Sequence, residues 1–459
     1  MFKKNNERKN TWPMMLASVA ALSLSTQSAQ AASNAELEQQ VAELQQQVKM
    51  LMAQMKKNKV AVQDLGSKVA SVPAPATASK GKTFGGDPSN FRIGNTDVNI
   101  GGFVKLDMNF SDYSDGASAL AGIGEDFLVP SVIPVGGEGG DVKFHAHAKT
   151  SRFNITTKTK TDTGHVRTFM EFDAIASGQG DERISNSSAE RLRHAFIDWN
   201  IDGKNSILAG QTWSTFFNVG TLPESLDFVG PVGTIFERQP QLRYTRKLNG
   251  GSFMLAAENP ATTLYGASEN PYDDNSIPDL IARYNGKVGN FSYALAAMTR
   301  ELKYDTGAAS ADDQGYAVSV SGKYTMASDE LRFMVNYGDA LGRYMALNGF
   351  RAGAIRDDGD IELIDAWGGF INWKHHWNSK WRSNLTLSAA SADNPSYLAP
   401  TTASDYTSIH ANLLYSPVKR LTLGGEYIYA TKELENTGNV LADDKGSLKR
   451  LLLSVKYAF

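Results

Sequence analysis

"VNIGGFVKLDMNF", residues 98–110, sets Ile100, Gly102, Val104, Leu106, Met108 and Phe110 on one side of an extended chain and Lys105, Asp107 and Asn109 on the other. Successive side chains of a strand point to opposite faces, so this period of two describes a β-strand with one apolar and one polar face. The pattern returns in "VRTFMEFDA", where Val166, Met170 and Phe172 oppose Arg167, Glu171 and Asp173, and in "ELRFMVNYG", where Leu331, Phe333, Val335 and Tyr337 oppose Arg332 and Asn336. "NFSYALAAM" and "RLTLGGEYIY" read the same way, and between Asp97 and Phe459 about sixteen such segments can be marked.

Their connections alternate between short and long. The short ones are "TKTDTGH", "IDGKN", "NGG", "KVGN", "ASD", "NSK" and "PVKR", and the long ones between them run from about a dozen to almost thirty residues. A soluble sandwich has no reason to send every long loop to one end, whereas a transmembrane barrel has short periplasmic turns, long outer loops and an even strand number. The final segment "KRLLLSVKYAF" alternates Leu451, Leu453, Val455, Tyr457 and Phe459, and its aromatic end resembles the terminal assembly signal of bacterial outer-membrane proteins. The fold class expected is therefore an all-β transmembrane barrel of about 16 antiparallel strands over residues 97–459. The apolar faces then point at lipid and the polar faces at the lumen. Trp199, Trp373, Trp377, Trp381, Tyr427 and Tyr457 are expected in the interfacial girdles. A lumen of this girth is too wide for side chains to fill and is expected to hold water.

The first 96 residues are of another kind. Lys3, Lys4, Arg8 and Lys9, the apolar run "MMLASVAALSLST" and "AQA" make residues 1–31 a secretory signal. Its removal takes away four basic groups and one acid, moving the formal charge from −3 to −6. That balance does not suggest nucleic acid as a partner, and no later run is apolar enough for a transmembrane helix. Residues 35–72 carry heptads, with Val41, Val48, Met55, Val62 and Val69 at a and Leu37, Leu44, Leu51, Asn58, Leu65 and Val72 at d. An unbroken 3.5-residue period predicts an α-helical coiled-coil extension, roughly 50 Å long. Valine at a with leucine at d favours two strands, whereas the barrel architecture calls for three, and a lone amphipathic helix is the alternative. Residues 73–96, opening with prolines, form the linker.

With these faces the lumen receives Lys143, Arg152 and Lys158 from the second strand, Arg167 from the third, Arg191 and Arg193 from the fourth and Arg243 from the sixth. The phase of the second strand shifts near Thr150, as at a bulge. In "RLRHAFIDW" either face leaves a charge outside, and the face that puts both arginines inward is preferred. Arginine recognises carboxylate through two parallel charge-assisted bonds, so a basic wall points to small anions with a carboxylate at each end. The competing reading is that these arginines only keep the lumen wet.

Enzyme chemistry finds little support. There are no cysteines, and Gly-x-Ser-x-Gly, His-Glu-x-x-His and a phosphate-binding glycine loop do not occur. His145 and His147 share one strand face, but no carboxylate joins them at ligand spacing, so neither metal nor cofactor is expected. "KHHW", residues 374–377, reads as girdle or turn. Acidic segments, "GEDF" at 124–127, Asp273 and Asp274, Asp312 and Asp313, Asp357, Asp358 and Asp360, Asp443 and Asp444, read as solvated loop tips or as cation sites bridging lipopolysaccharide.

Taken together, "LEQQVAELQQQVKML", "NIGGFVKLDMNF", "SRFNITTKTKT", "RLRHAFIDW", "LAGQTWSTF", "RQPQLRYTRKL" and the terminal "YAF" resemble the DcaP type of trimeric dicarboxylate porin of Gram-negative bacteria, across the whole mature chain. The resemblance implies a homotrimer in the outer membrane, with the helix in the periplasm and small dicarboxylates as solutes. It also implies that Arg152, Arg193 and Arg243 line the path. In porins the third outer loop narrows the lumen; here it is "TFFNVGTLPESLDFVGPVGTIFERQPQ", whose Glu224 and Asp227 are expected to face the arginine wall. A sugar-specific porin is the nearest rival, yet the inward aromatics on offer are mainly Phe169 and Trp199. A third reading makes the helices a tether to peptidoglycan with an incidental pore.

Overall fold

The computed structural model describes residues 90–459, apart from 117–121, 179, 181–182, 267–274 and 437, together with Lys49. The signal at 1–31 and, Lys49 aside, the heptad seam from Leu37 through Val41, Leu44, Val48 and Leu51 to Met55 lie outside the described residues. Sixteen strands close into a barrel: β1 (Thr96–Tyr113), β2 (Lys143–His147 and Arg152–Thr161), β3 (Gly164–Asp173), β4 (Arg191–Asn200), β5 (Asn205–Trp213), β6 (Arg238–Leu248), β7 (Gly251–Glu258) and β8 (Asp279–Val288) form one half. The other half is β9 (Phe291–Asp305), β10 (Ser310–Thr325), β11 (Asp329–Gly338), β12 (Ala366–His376), β13 (Trp381–Ala392), β14 (Ala403–Tyr415), β15 (Leu421–Leu434) and β16 (Lys445–Ala458). Each strand pairs antiparallel with its sequence neighbours, and β16 returns to β1 with Phe103 opposite Ala458 and Tyr113 opposite Leu448. The sixteen strands of the barrel leave no open edge between them, which is what lipid requires of a backbone that cannot bond to water.

The alternation of "VNIGGFVKLDMNF" is expressed directly: Val104 is 60% exposed and Leu106 42%, whereas Lys105, Asp107 and Asn109 are 8%, 2% and 0% exposed. Tyr457 and Phe459 point outward, as do the six tryptophans and tyrosines assigned to the girdles. Trp199 is among them, so it faces lipid and leaves the lumen without that aromatic. β2 breaks over residues 148–151, where the bulge was expected. At the seam where β1, β2 and β16 meet, Gly102 has a φ of 151°, and a Cβ there would stand 2.2 Å from the Arg152 carbonyl oxygen. Only glycine fits.

Three expectations need correction. The connections do not alternate strictly, because β9 and β10 run on past the others and leave only residues 306–309 between them; Asp312 and Asp313 therefore lie on a strand. Part of the segment assigned to the linker, Asn90–Ile93, is a strand paired with Thr96–Asn99. The lumen, moreover, is not simply water: loops 1 (residues 114–142), 3 (residues 214–237) and 6 (residues 339–365) fold into it. Phe216, Phe217, Val232 and Ile235 of loop 3 pack with Tyr344, Met345 and Phe350 of loop 6 against Met334, Phe370 and Ile428 of the wall. Strand periodicity sorts lipid from lumen, but it carries no information about long loops that return to cover the lumenal face.

Candidate pore constriction

Loop 3 sweeps around the inner wall and is pinned at nearly every step. Arg283 of β8 donates to the Phe217 carbonyl at 2.7 Å, and Arg332 of β11 donates to that of Leu222 at 2.6 Å. Lys105 of β1 donates to the Leu226 carbonyl at 2.7 Å, while the Leu226 N–H donates to Glu426 of β15 at 2.6 Å. On the way back the Gly233 N–H donates to Ser388 of β13 at 2.8 Å. Backbone groups that a buried loop would leave unpaired are thus satisfied by polar side chains on the lumenal face.

Phe228, near the middle of this loop, sits beside three guanidinium groups, with Arg152, Arg191 and Arg193 at 5.9, 5.7 and 5.4 Å from its ring centre. Arg152 comes from β2 and the other two from β4, on either side of β3. Arg191 forks onto Asp173 with two bonds of 3.0 Å; Arg193 bonds Glu171 and Asp173 at 2.8 Å each; and Arg152 lies 3.9 Å from Glu171. A register shift at Glu171/Phe172 makes Arg193 a bulge residue, so Arg193 and His194 both turn inward and the conflict in "RLRHAFIDW" disappears. Arg193 is 1% exposed. It braces two carboxylates and lies beneath the surface that a solute would touch, whereas Arg152 and Arg191 remain about a quarter exposed at their side chains. Arg167 pairs with Asp198 at 3.4 Å and, with Arg243 and Lys158, lies on the inward face nearer the short turns; Lys143 stands exposed at the outer rim, away from the cluster.

Glu224 and Asp227 do not pair with these arginines. Glu224 borders the same cavity as Arg152, but its carboxylate is bonded farther round the wall, to Arg382 of β13 at 2.5–3.0 Å and to Lys374 of β12 at 2.8 Å. Burial pushes its pKa up, but hydrogen bonds from Arg382 and Lys374 outweigh that and hold it down at about 2. Asp227 is turned into its own loop, accepting N–H bonds from Leu128, Val229 and Gly230 at 2.8–3.1 Å, and burial raises its pKa. Alternation in "WGGFINWKHH" and "WRSNLTLSAA" already put Lys374 and Arg382 inward, and these nearer cations capture Glu224. With its pKa below the ordinary carboxylate value, this anchor is complete above about pH 4.5 and is lost as the pH falls toward 2. Ion selectivity set by Glu224 is expected to stay constant between pH 7 and 4.5 and to drift toward anions only below that, as read from reversal potentials in a salt gradient.

Between the Phe228 segment and the wall lies a cavity of about 180 Å³ lined by Phe103, Lys105, Arg152, Glu224, Ser454 and Lys456, among others. Lys105 is engaged by Asp107 at 3.0 Å, and Glu224 is already doubly paired. Arg152 and Lys456 flank the ring of Phe103 at 5.2 and 5.5 Å, and the buried Nε of Arg152 has no hydrogen-bond partner among the described residues. The cavity therefore offers a net positive field.

A family model described as DcaP outer membrane protein matches residues 20–459. Among solved structures, the chain is similar to the outer membrane channel DcaP of Acinetobacter baumannii, with a TM-score of 0.66 and 23% identity, covering 80% of this chain and 98% of that one. It is also similar to the trimer form of OmpT of Vibrio cholerae (TM-score 0.50, 12% identity, 80% and 100% covered) and to Salmonella typhi OmpF in complex with daunomycin (0.50, 11%, 80% and 98%). At these identities the likeness is one of fold. No curated protein matches the sequence.

Proposed function

This chain belongs to the DcaP outer membrane protein family, and on that premise we propose that it is a passive channel preferring small anions, dicarboxylates foremost. The observation that carries the reading is the cavity beside Phe228, where Arg152 and Lys456 face a space of small-molecule size while its two lining acids are already engaged, Glu224 by Lys374 and Arg382 and Asp227 by the N–H groups of Leu128, Val229 and Gly230. A guanidinium whose side chain is a quarter exposed and a nearby ammonium suit a solute with a carboxylate at each end. Further along the inward face toward the short turns, Lys158, Arg167, Arg243, Arg283, Lys323 and Arg332 extend the basic lining, with Asp198 and Glu330 as partial balance. Cations entering from that side meet repulsion before they reach loop 3.

Assembly as a homotrimer is part of the proposal; the trimer form of OmpT, a protein of like fold, and the heptad seam of residues 35–72 support it. The chain enters β1 at the end bearing the short turns, the periplasmic end in outer-membrane barrels, which supports a periplasmic helix within reach of peptidoglycan. Lipid and lipopolysaccharide are the partners of the outer face. Planar-bilayer recording of the purified protein tests the function. Three equal conductance steps, anion preference and transient block by succinate are expected, with the block weakened about tenfold, the worth of one charge-assisted bond, in Arg152→Gln and in Lys456→Gln. Cation preference, or block equal in both variants and wild type, would overturn the proposal.

A further inference from the structure

The sequence offers His145 and His147 as a pair lacking a carboxylate at ligand spacing; the fold supplies one. Loop 1 contains the short helix α1 (Ile123–Asp126), and its last residue, Asp126, comes down onto the lumenal face of β2. Asp126 Oδ1 lies 2.8 Å from His145 Nε2 and 3.9 Å from His147 Nε2, and one donor atom from each of the three residues falls within 4.8 Å of the others. We propose that Asp126, His145 and His147 form a binding site for a divalent transition-metal ion, zinc foremost.

Zinc bonds of about 2.0–2.2 Å place neighbouring ligands of a tetrahedron about 3.3 Å apart. The separations of 2.8 and 3.9 Å bracket that spacing, and because the three donor atoms span up to 4.8 Å, binding asks the two imidazoles to close by about an ångström. Two imidazoles and one carboxylate suit zinc, copper or nickel, whereas calcium and magnesium want oxygen throughout. The fourth position is left to water, as in zinc sites with three protein ligands.

The ligands are held before any ion arrives. Asn109 of β1 is fully buried, and its amide donates to the carbonyls of Glu125 and Asp126 at 2.7 and 3.1 Å, fixing α1 over the strand. Asp126 is 4% exposed and His147 6%. The His147 ring is held by a single bond, Nε2 to the Asp126 carbonyl at 3.0 Å, while its buried Nδ1 has no hydrogen-bond partner among the described residues. The ring can therefore turn toward an ion at the expense of one bond. Lys149 completes the picture: its ammonium lies 3.0 and 3.1 Å from the two Asp126 carboxylate oxygens, a cation in the place where a second would go. A divalent ion gripped by two imidazoles displaces it. Such an ion would also tie loop 1 to the wall two residues before Leu128, whose N–H bonds Asp227 next to Phe228, so the site lies within one loop contact of the constriction.

Calorimetric titration of zinc chloride into the untagged full-length channel in detergent tests this. One zinc per chain is expected, bound about tenfold or more weakly in His145→Ala and in His147→Ala. Lys149→Met, which removes the competing charge, is expected to tighten binding about tenfold. Calcium chloride should give no saturable heat. Should a histidine variant fail to fold, anomalous diffraction at the zinc edge from soaked wild-type crystals gives an independent answer, with a peak expected among the three side chains. No saturable binding by the wild type, unchanged affinity in both histidine variants, weaker binding in Lys149→Met, or an anomalous peak only elsewhere would each overturn the site.

Discussion

Arg193→Met is expected to destabilise the barrel by about 3–5 kcal/mol, the range for removing one partner of a buried ion pair. The side chain is 1% exposed and holds Glu171 and Asp173 at 2.8 Å each. After the substitution Asp173 keeps its fork to Arg191, but Glu171 is left with Arg152 at 3.9 Å and a cation no nearer. The penalty therefore comes from an uncompensated buried carboxylate more than from a lost contact. Urea unfolding of the refolded barrel, followed by its heat-modifiable mobility, measures it. Adding Glu171→Gln to Arg193→Met should recover most of the loss, because a neutral amide no longer needs the cation. If the double variant is as unstable as the single one, the loss lies in packing against Phe228 and Trp213, which the guanidinium also covers at 5.4 and 5.9 Å.

Glu224→Gln is expected to change selectivity and to weaken the anchoring of loop 3 by only about 1 kcal/mol, the scale of a part-exposed ion pair. The amide is isosteric and still accepts from Arg382, but it no longer cancels the charges of Arg382 and Lys374 at 2.5–3.0 Å. Two charges about 4 Å apart in a water-like medium interact by roughly 1 kcal/mol, and a fivefold rise in the anion-to-cation permeability ratio follows from that figure. Succinate block should deepen in the same measure, since the freed guanidinium and ammonium border the cavity lined by Arg152 and Lys456. Reversal potentials across a tenfold salt gradient give the ratio. A fall in anion preference would mean that Glu224 acts by positioning loop 3 and not by its charge. Arg382→Gln separates the two, because it removes the anchor while lowering the positive charge.

The barrel was legible because its cause is local. Whether Lys105 or Val104 meets lipid is decided by the two-residue period of β1 itself, and turn and loop lengths then order the strands. The inward placement of Arg152, Arg167, Arg191 and Arg243 follows from the same parity. The same parity places Arg283, Lys374, Arg382 and Lys456 inward, so their positions were written in the strands as plainly.

Other features had no local signal. Arg193 and His194 both turn inward because a bulge against β3 breaks the alternation, and that bulge exists only once the two strands pair. Glu224 and Arg382 stand 158 positions apart in the chain, and a loop's choice between two basic walls depends on which lies within reach after the barrel closes. Asp126 reaches His145 because Asn109, Tyr113 and Arg450 bond the carbonyls of α1 and hold it against the wall. The sequence by itself determined a closed, lipid-facing barrel with a polar, charged inner face, since each strand's two faces are written in adjacent residues. Which carboxylates neutralise that lining, and how far the loops fill the lumen, the tertiary structure alone decided, because those contacts join residues that no short-range period connects.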